Sequence, residues 1–266
     1  MDTPEPGLAL HGAGELAARL RARRRTFVKE NGRRLMFGLT RYLGSQSTIP
    51  NDPVLDPALF PWSETLRREW RRVRAELDAL LLRRSELPRF QDISPDQYRI
   101  SPDDLWRTFV LCGFGQRFQL ARRLCPETSR LLDTVPRLEN AFFSILAPGK
   151  HIPSHRGVTK GMVRAHVGLE VPADAERCRM LVGDAVCVWR EGELVFFDDT
   201  YPHEVWNETS EERAVLLFDF ERPMTRRGQA VSRALISGLR RTAYFKDGLR
   251  NQLAWEQRYT TRDRDN

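Results

Sequence analysis

The sequence lacks any apolar run close to the roughly 18 residues that a membrane-spanning helix needs. Its first residues also lack the charged-then-apolar order of a signal peptide. We therefore expect a cytoplasmic protein, which could still act as a peripheral protein at the inner face of the cytoplasmic membrane. No CxxC pair is present, which argues against a zinc ribbon or a thioredoxin-type motif and predicts reduced, mostly buried thiols. The four cysteines are Cys112, Cys125, Cys178 and Cys187.

Acidic residues are in the minority. Lys and Arg total 43 against 36 Asp and Glu, which gives a formal net charge of +7 at pH 7. A chain of this charge is attracted to polyanions, so nucleic acid and an anionic membrane both fit as partners. With 266 residues, of which 41% are hydrophobic and 30% charged, the chain is long enough for one main domain with polar ends.

The charge is concentrated near the N-terminus. We expect a flexible tail at 1–18 and a basic segment at 19–60, in which residues 19–34 hold eight basic side chains and one acid. This cluster is typical either of a solvated helix or of a patch that binds anionic lipid or nucleic acid. The apolar pentad Leu35–Leu39 follows directly and favours a membrane surface, although a helix packed on the domain would have the same pattern.

We place the main domain at 61–223, and its first part is predicted to be a helical lead-in. An apolar stripe with spacings of four and three residues predicts a helix that Ser63 caps and Pro88 ends. The stripe consists of Leu66, Trp70, Val73, Leu77 and Leu80. Residues 106–111 are rich in β-forming side chains and predict a strand, and 117–133 are expected to be helical.

From Ala141 the hydrophobic period changes to two. Short strand-like runs separated by Gly and Pro, without helices between them, predict an antiparallel sandwich or barrel at about 106–223. Beyond Pro223 the composition becomes Arg-rich and helical, so 224–266 is expected to form a C-terminal helical extension that ends in a disordered tail at 260–266.

Histidines are concentrated in the predicted barrel. Four of the five histidines lie between His151 and His203. Strand alternation places Arg164 and His166 on one face. If they point inward they must meet an anion, and Arg213, at the start of the buried run 214–220, has the same need. A small dicarboxylate between Arg213 and the Arg164/His166 pair would satisfy both demands.

A family resemblance rests on six segments of this region: His155–Gly157, Arg164–Pro172, Trp189–Gly192, Phe197–Asp199, His203–Asn207 and Arg213. Together they resemble the aspartyl/asparaginyl β-hydroxylase family of iron(II)- and 2-oxoglutarate-dependent oxygenases, over about 106–223. The resemblance implies a double-stranded β-helix, also called a jelly roll or cupin-like core. The expected fold class is therefore mainly β with flanking helices, in agreement with the period of two.

The resemblance also implies roles for individual residues. His155 and His203 would be the metal ligands and catalytic residues, with iron(II), 2-oxoglutarate and dioxygen as cofactor and cosubstrates. Ser144 and Arg213 would hold the distal carboxylate of 2-oxoglutarate, while Arg164 and His166 would lie near its iron-chelating end. The implied reaction is hydroxylation of an unactivated C–H bond with release of succinate and CO₂.

One position departs from the wider superfamily, whose metal triad usually includes an acid two residues after the first histidine. This chain has Gly157 there, which is the usual state in the resembling family. Asp198 and Asp199 are both candidate replacement ligands. We favour a role for Asp199 in orienting a ligand histidine, and a simple turn-capping role is the alternative.

Two substrate classes occur in the resembling family. One branch hydroxylates the 2-position of fatty acyl chains in bacterial lipids such as ornithine lipid and lipid A, and the phrase His151–Gly161 looks most similar to that branch. A peripheral enzyme that acts on ornithine lipid is the favoured interpretation, and a peptidyl Asp/Asn hydroxylase, which would need a polar groove, is the alternative. A non-catalytic nucleic-acid-binding barrel would not explain why these residues occur together, so no nucleic-acid partner is expected.

Overall fold

The computed structural model describes residues 36–113, 115–174 and 176–265, without the side chains of Asp96, Tyr244 and 262–265. The predicted tail at 1–18 and the basic cluster at 19–34 lie outside these residues. The strands are β1 (Val54–Leu55), β2 (Trp106–Gly113), β3 (Gln116–Arg117), β4 (Leu138–Leu146), β5 (His151–His155), β6 (Met162–Glu170), β7 (Cys178–Val182), β8 (Ala185–Val188), β9 (Leu194–Phe197), β10 (His203–Asn207) and β11 (Arg213–Glu221).

Helices flank these strands on both sides in the sequence. Residues 36–45 are helical (α1). The other α-helices are α2 (Glu64–Leu81), α3 (Phe90–Ile93), α4 (Gln119–Leu124), α5 (Pro126–Leu132), α6 (Arg226–Leu239) and α7 (Ala243–Asp265), and short 3₁₀ turns cover Pro57–Leu59, Pro61–Ser63, Arg84–Glu86 and Pro95–Ile100. Within the described ranges, no helix has both the length and the apolar composition to cross a bilayer.

The strands form two antiparallel sheets that share one core. A seven-stranded sheet has the order β1-β9-β6-β11-β4-β2-β3, and a four-stranded sheet has the order β5-β10-β7-β8. Their inner faces meet in an apolar cluster to which β4 and β11 contribute from the large sheet and β5, β7 and β10 from the small one. This is the predicted double-stranded β-helix, with a mainly β fold and flanking helices, and the prediction is confirmed.

Strand β6 shows how the sequence period selects the two faces of the large sheet. Val163, Ala165 and Val167 belong to the core cluster on the outer face, together with the apolar stripe of α2. Arg164 and His166 take the alternate positions, as expected from a period of two. The outer face therefore receives the lead-in helix, while the inner face carries the polar side chains.

The lead-in helix is confirmed, but its two ends differ from the prediction. Four of the five stripe residues are buried in α2. Ser63 precedes the helix with helical dihedral angles and its side chain accepts no capping hydrogen bond, because a 3₁₀ turn already leads into α2 at this point. The helix ends at Leu81, seven residues before Pro88, and a 3₁₀ turn follows at Arg84–Glu86.

Four further predictions can be compared with the structure. The strand at 106–111 is confirmed and continues to Gly113. The helical segment at 117–133 is two short helices that break at Cys125, before Pro126. The predicted disorder at 260–266 is wrong for the described residues, since α7 continues to Asp265; no Gly or Pro follows Gly248 to stop its propagation. All four cysteines are free and buried, as expected.

A buried ion triad fixes the turn that leads into β10. Asp198 is 0% exposed, and its Oδ2 lies 2.6 Å from Lys160 Nζ and 3.0 Å from Arg222 Nη1. Its Oδ1 accepts hydrogen bonds from the amide and the hydroxyl of Thr200. The carboxylate thereby joins the loop after β5, the end of β11 and the turn before His203.

We expect Asp198→Asn to lower the free energy of unfolding by about 3 kcal/mol, because the neutral amide leaves two buried cations without a counter-charge. Urea unfolding followed by circular dichroism measures the loss. The matched control is Asp247→Asn, which removes one carboxylate of an exposed pair on α7 and should change stability by less than about 0.5 kcal/mol. Equal losses in the two variants would contradict a stabilising triad.

Candidate active site

Two histidines face each other on neighbouring strands of the small sheet. His155 is the last residue of β5, His203 is the first of β10, and the two are register partners. Their ring centroids are 4.1 Å apart, with an angle of 53° between the planes. Antiparallel pairing thus brings together two imidazoles that are 48 positions apart in the sequence.

Backbone carbonyls determine which ring nitrogen of each histidine carries the proton. His155 Nδ1 lies 2.9 Å from the carbonyl oxygen of Pro153, and His203 Nδ1 lies 3.0 Å from that of Tyr201. A carbonyl oxygen only accepts, so each Nδ1 must donate and each Nε2 keeps a free lone pair. Burial lowers the pKa of His155, and burial together with the neighbouring imidazole lowers the pKa of His203 to about 3. Both rings are therefore neutral near pH 7, as metal ligands must be.

The space beside the pair is taken by a carboxylate from another loop. A Cβ built on Gly157 would overlap the carboxylate of Asp199, so position 157 has room only for glycine while Asp199 stays in place. Asp199 is 4% exposed, its Oδ1 has no hydrogen-bond partner, and burial raises its pKa. Both Nδ1 atoms already donate to backbone carbonyls, and the Asp199 carboxylate contacts Arg164. That this carboxylate orients a ligand histidine stays a prediction.

The anion that Arg164 requires comes from the protein. Its Nε lies 2.7 Å from Asp219 Oδ1, its Nη2 lies 3.1 Å from Asp219 Oδ2, and Nη2 is also 3.3 Å from Asp199 Oδ2. Asn140 donates to the same Asp219 carboxylate from the adjacent strand at 2.9 Å. A bound acid would therefore share Arg164 with two carboxylates.

Arg213, unlike Arg164, has no carboxylate partner among the described residues, and it is 1% exposed. Its Nη1 donates weakly to the carbonyl oxygen of Ser144 at 3.4 Å, its guanidinium lies over the Trp189 ring at 4.4 Å, and its Nε has no acceptor. Burial lowers its pKa to about 10, so it is still cationic at neutral pH. A buried cation of this kind provides a site for an anion.

His166 presents a second buried donor close to Arg213. The indole Nε1 of Trp189 donates to His166 Nδ1 at 3.2 Å, so the ring proton must be on Nε2, which is buried and has no acceptor. Burial, and then the charge of Arg213, lower the pKa of His166 well below its usual value. Trp189 therefore contacts both donors, since it fixes the tautomer of His166 and stacks on Arg213.

Ser144 completes this second group. It is 2% exposed on β4, and its Oγ accepts a hydrogen bond from Trp106 Nε1 at 3.1 Å, which leaves its hydroxyl proton available to a ligand. The structure thus places the predicted residues in two groups. His155, His203, Asp199 and Arg164 form the first, and Ser144, His166 and Arg213 form the second. The ring of Phe197 lies 5.6 Å from His203 and 5.1 Å from His166, between the groups.

Sequence reasoning assigned no role to two residues that organise the site. Trp189 occurred only as part of a motif, and nothing in its spacing indicates that it touches both Arg213 and His166. The sequence does contain a signal for Asp219, since it is the one charged residue inside the apolar run 214–220. A carboxylate in a strand that is buried on both faces requires a cation beside it, and the partly buried Arg164 is that cation.

The first group fits a divalent metal ion held by two histidines. Two neutral imidazoles present free Nε2 lone pairs side by side, and imidazole suits iron, zinc, copper and nickel. No cluster of three or more His, Cys, Asp and Glu side chains arranged for a metal occurs among the described residues, so water or a bound ligand would have to fill the remaining coordination positions. The second group fits a buried carboxylate, because its donors lack acceptors.

A jelly-roll barrel that encloses a neutral histidine pair beside buried donors without acceptors has the features of an enzyme active site. A family model for Aspartyl/Asparaginyl beta-hydroxylase matches residues 67–223. The chain belongs to this family, and it is a hydroxylase.

Three relatives illustrate the range of similarity. The ornithine lipid ester-linked acyl 2-hydroxylase of Rhizobium tropici is 43% identical over 211 residues, which cover 79% of this chain and 75% of that protein. The human aspartyl/asparaginyl beta-hydroxylase is 30% identical over 165 residues, or 60% of this chain and 21% of that protein. Aspartate beta-hydroxylase domain-containing protein 2 of Xenopus tropicalis is 33% identical over 132 residues, or 46% of this chain and 35% of that protein.

Proposed function

We propose that this hydroxylase is an iron(II)- and 2-oxoglutarate-dependent dioxygenase that acts on the 2-position of a fatty acyl chain in a membrane lipid, with ornithine lipid as the favoured substrate. The observation that carries the proposal is the pairing of a neutral histidine couple with buried, unpaired donors for an acid. The sequence identity of 43% to an acyl 2-hydroxylase, over most of the chain, supports the substrate class.

In this proposal His155 and His203 hold the iron through Nε2. With 2-oxoglutarate and dioxygen bound, the metal supplies the oxidation of a C–H bond to C–OH, while 2-oxoglutarate becomes succinate and CO₂. The hydrogen bonds from Nδ1 to the carbonyls of Pro153 and Tyr201 keep both rings in the ligating orientation. Asp199, whose Oδ1 is unpaired, would hold water at the coordination position for which residue 157, a glycine, supplies no carboxylate.

The second group would bind 2-oxoglutarate. Arg213 and Ser144 hold the distal carboxylate, and the orphaned Arg213 Nε and His166 Nε2 are the donors that such an acid would satisfy. Arg164, with His166, lies near the chelating end and shares its charge with Asp219 and Asp199. Because Ser144, His166 and Arg213 are buried, water is excluded from them and each of their hydrogen bonds to the acid is strengthened.

The surface beside the histidine pair favours a lipid over a peptide. The cavity that His155 and Asp199 border has a lining whose exposed surface is mainly apolar, whereas an Asp or Asn substrate needs a polar groove. Peptidyl Asp/Asn hydroxylation is the second candidate, on the similarity to the human enzyme. The exposed Phe37, 70% accessible on α1 directly after the basic cluster, supports peripheral attachment to an anionic membrane at the inner face of the cytoplasmic membrane.

Lipid mass spectrometry tests the proposal. The chain is expressed in a bacterial host that makes ornithine lipids, beside the His155→Ala variant. We expect a gain of one oxygen, located on an acyl 2-position by fragmentation, with the wild type and not with His155→Ala. The matched control is His151→Ala on the same strand. His151 is exposed and contacts Glu204 and the Trp206 ring at the surface, so the lipid product of this variant should persist.

Two results would contradict the lipid assignment. An unchanged lipid profile, with purified protein converting 2-oxoglutarate to succinate when Asp-containing peptides are added, would transfer the function to the peptide branch. An oxygenated lipid that persists in His155→Ala would show that another enzyme of the host made it.

A further inference from the structure

A cavity of about 450 Å³ begins at His155, one of the two paired histidines, and its volume is within the usual range of small-molecule sites. His155, Gly157, Arg164 and Asp199 border it at one side. From there it extends along the inner face of β11, β4 and β2 to the helices α3 and α7. The candidate site therefore opens into a space much larger than an acid such as 2-oxoglutarate requires.

Most of the exposed surface that lines this space comes from apolar atoms, although polar and charged side chains also contribute to the lining. The apolar side chains include Phe90, Ile93, Val110, Phe142, Leu217, Phe245 and Leu249. Five of these, all except Leu217 and Phe245, are partly buried residues that pack against the two core clusters. Their remaining apolar surface faces the cavity, and covering it is favourable by about 25 cal/mol for each Å².

Helix α7 is a fixed wall of the cavity. Asn251 donates to the carbonyl oxygen of Ile93 at 3.4 Å, and Trp255 Nε1 donates to that of Glu86 at 3.1 Å. Gly248 faces the same Ile93 oxygen, which an added Cβ would meet at an ordinary contact distance of 3.6 Å. The family match ends at residue 223, so this wall comes from a part of the chain that the family model does not cover.

The border of the cavity carries cations. Arg156 and Lys246 are exposed and border it, and neither pairs with a carboxylate among the described residues. One buried hydroxyl, Thr108 Oγ1, is 2% exposed in the wall and has no partner. This combination of a lining whose exposed surface is mainly apolar, some polar side chains and an exposed cationic border matches an amphipathic molecule with an anionic end.

We propose that the cavity binds the acyl chain of the substrate and that Val110 on β2 and Leu249 on α7 limit which chains fit. This inference rests on the proposed acyl hydroxylation and adds the chain-binding site and its specificity-determining residues. An aspartyl side chain would leave most of the apolar wall uncovered, so it is a poorer occupant. Arg156 and Lys246 face the anionic leaflet from which the chain enters.

Binding of cis-parinaric acid, a fluorescent 18-carbon fatty acid, to the purified full chain tests the cavity without any turnover. Val110→Trp and Leu249→Trp insert a large side chain into the cavity from two different elements. We expect each to weaken parinarate binding about tenfold or more, because the space is filled. Each has a matched control with the same change at an exposed site, namely Val186→Trp on β8 and Leu253→Trp on α7, and both controls should bind as the wild type does.

Circular dichroism and thermal unfolding identify any variant that fails to fold. If one cavity variant does not fold, the other, on a different element, tests the proposal. Equal parinarate affinities for cavity and control variants would overturn the proposal. Loss of binding in folded cavity variants supports it, even if the wild type oxygenates no lipid and the proposed function fails. Conversely, if the wild type oxygenates lipid and Val110→Trp does so with an unchanged rate and acyl-length profile, the function holds and the cavity assignment is wrong.

Discussion

The Arg213→Met protein is expected to be more stable than the wild type and unable to bind 2-oxoglutarate. Arg213 is a buried cation with no carboxylate partner, and removing an uncompensated charge from the interior should raise the free energy of unfolding by about 2 kcal/mol. The contact with Trp189 offsets part of this gain. Urea unfolding without ligand measures the stability, and the rise of the thermal midpoint with added 2-oxoglutarate measures binding.

Arg222→Met is the matched control, because Arg222 is equally buried but is paired with Asp198 at 3.0 Å. The same substitution there should lower stability by about 3 kcal/mol. The two buried arginines thus predict opposite signs. A destabilised Arg213→Met protein, or one whose thermal midpoint still rises with 2-oxoglutarate, would show that Arg213 is a structural residue and not the anchor of the acid. Arg213→Lys should bind at least about tenfold more weakly, since the forked guanidinium is lost.

The His155→Ala protein is expected to lose metal binding and, with it, the conversion of 2-oxoglutarate to succinate by more than about 100-fold. Loss of a residue that only supports a metal ligand typically lowers metal affinity or activity 10- to 100-fold. Loss of one of only two imidazole ligands should lower them further. Isothermal titration with Mn(II) reports the metal directly, and succinate formation in the presence of Fe(II) reports turnover. Fluorescence of bound parinarate should be unchanged, because His155 only borders the apolar cavity.

His151→Ala is again the control, since His151 lies on the same strand at the surface. Its Mn(II) affinity and turnover should match those of the wild type. If His155→Ala bound Mn(II) as tightly as this control does, the metal would have to lie elsewhere, and the free Nε2 lone pairs of His155 and His203 would need another explanation.

Much of the fold follows from local sequence signals. The change to a period of two after Ala141 predicted the barrel, and the alternation in β6 separated Val163 and Ala165 on the outer face from Arg164 and His166 on the inner one. Such patterns are readable because each strand places successive side chains on opposite faces. The end of α2 and the helix at 260–265 were missed, because a cap or a chain end is decided by contacts such as the packing of Tyr259 on Trp255.

The candidate site, too, was predicted from the sequence only in part. The sequence, through its resemblance to a family, predicted His155, His203, Ser144, Arg164, His166 and Arg213 as site residues, and residue type alone indicated that Arg164 and Arg213 need anions. It could not show that Asp219 satisfies the first need while nothing among the described residues satisfies the second. That difference depends on which side chains β11, β6 and β4 bring side by side, and pairing register is a property of the folded sheet.

The sequence by itself determined the period, the strand faces and the kinds of side chain that the barrel encloses, because these depend on neighbours within a few residues. Only the tertiary structure decided that the Asp199 carboxylate fills the space at Gly157, that Trp189 contacts both Arg213 and His166, and that α7 closes an apolar cavity beside the histidines. Each of these contacts joins residues more than 20 positions apart. Their formation depends on the packing of the whole domain, which no local pattern contains.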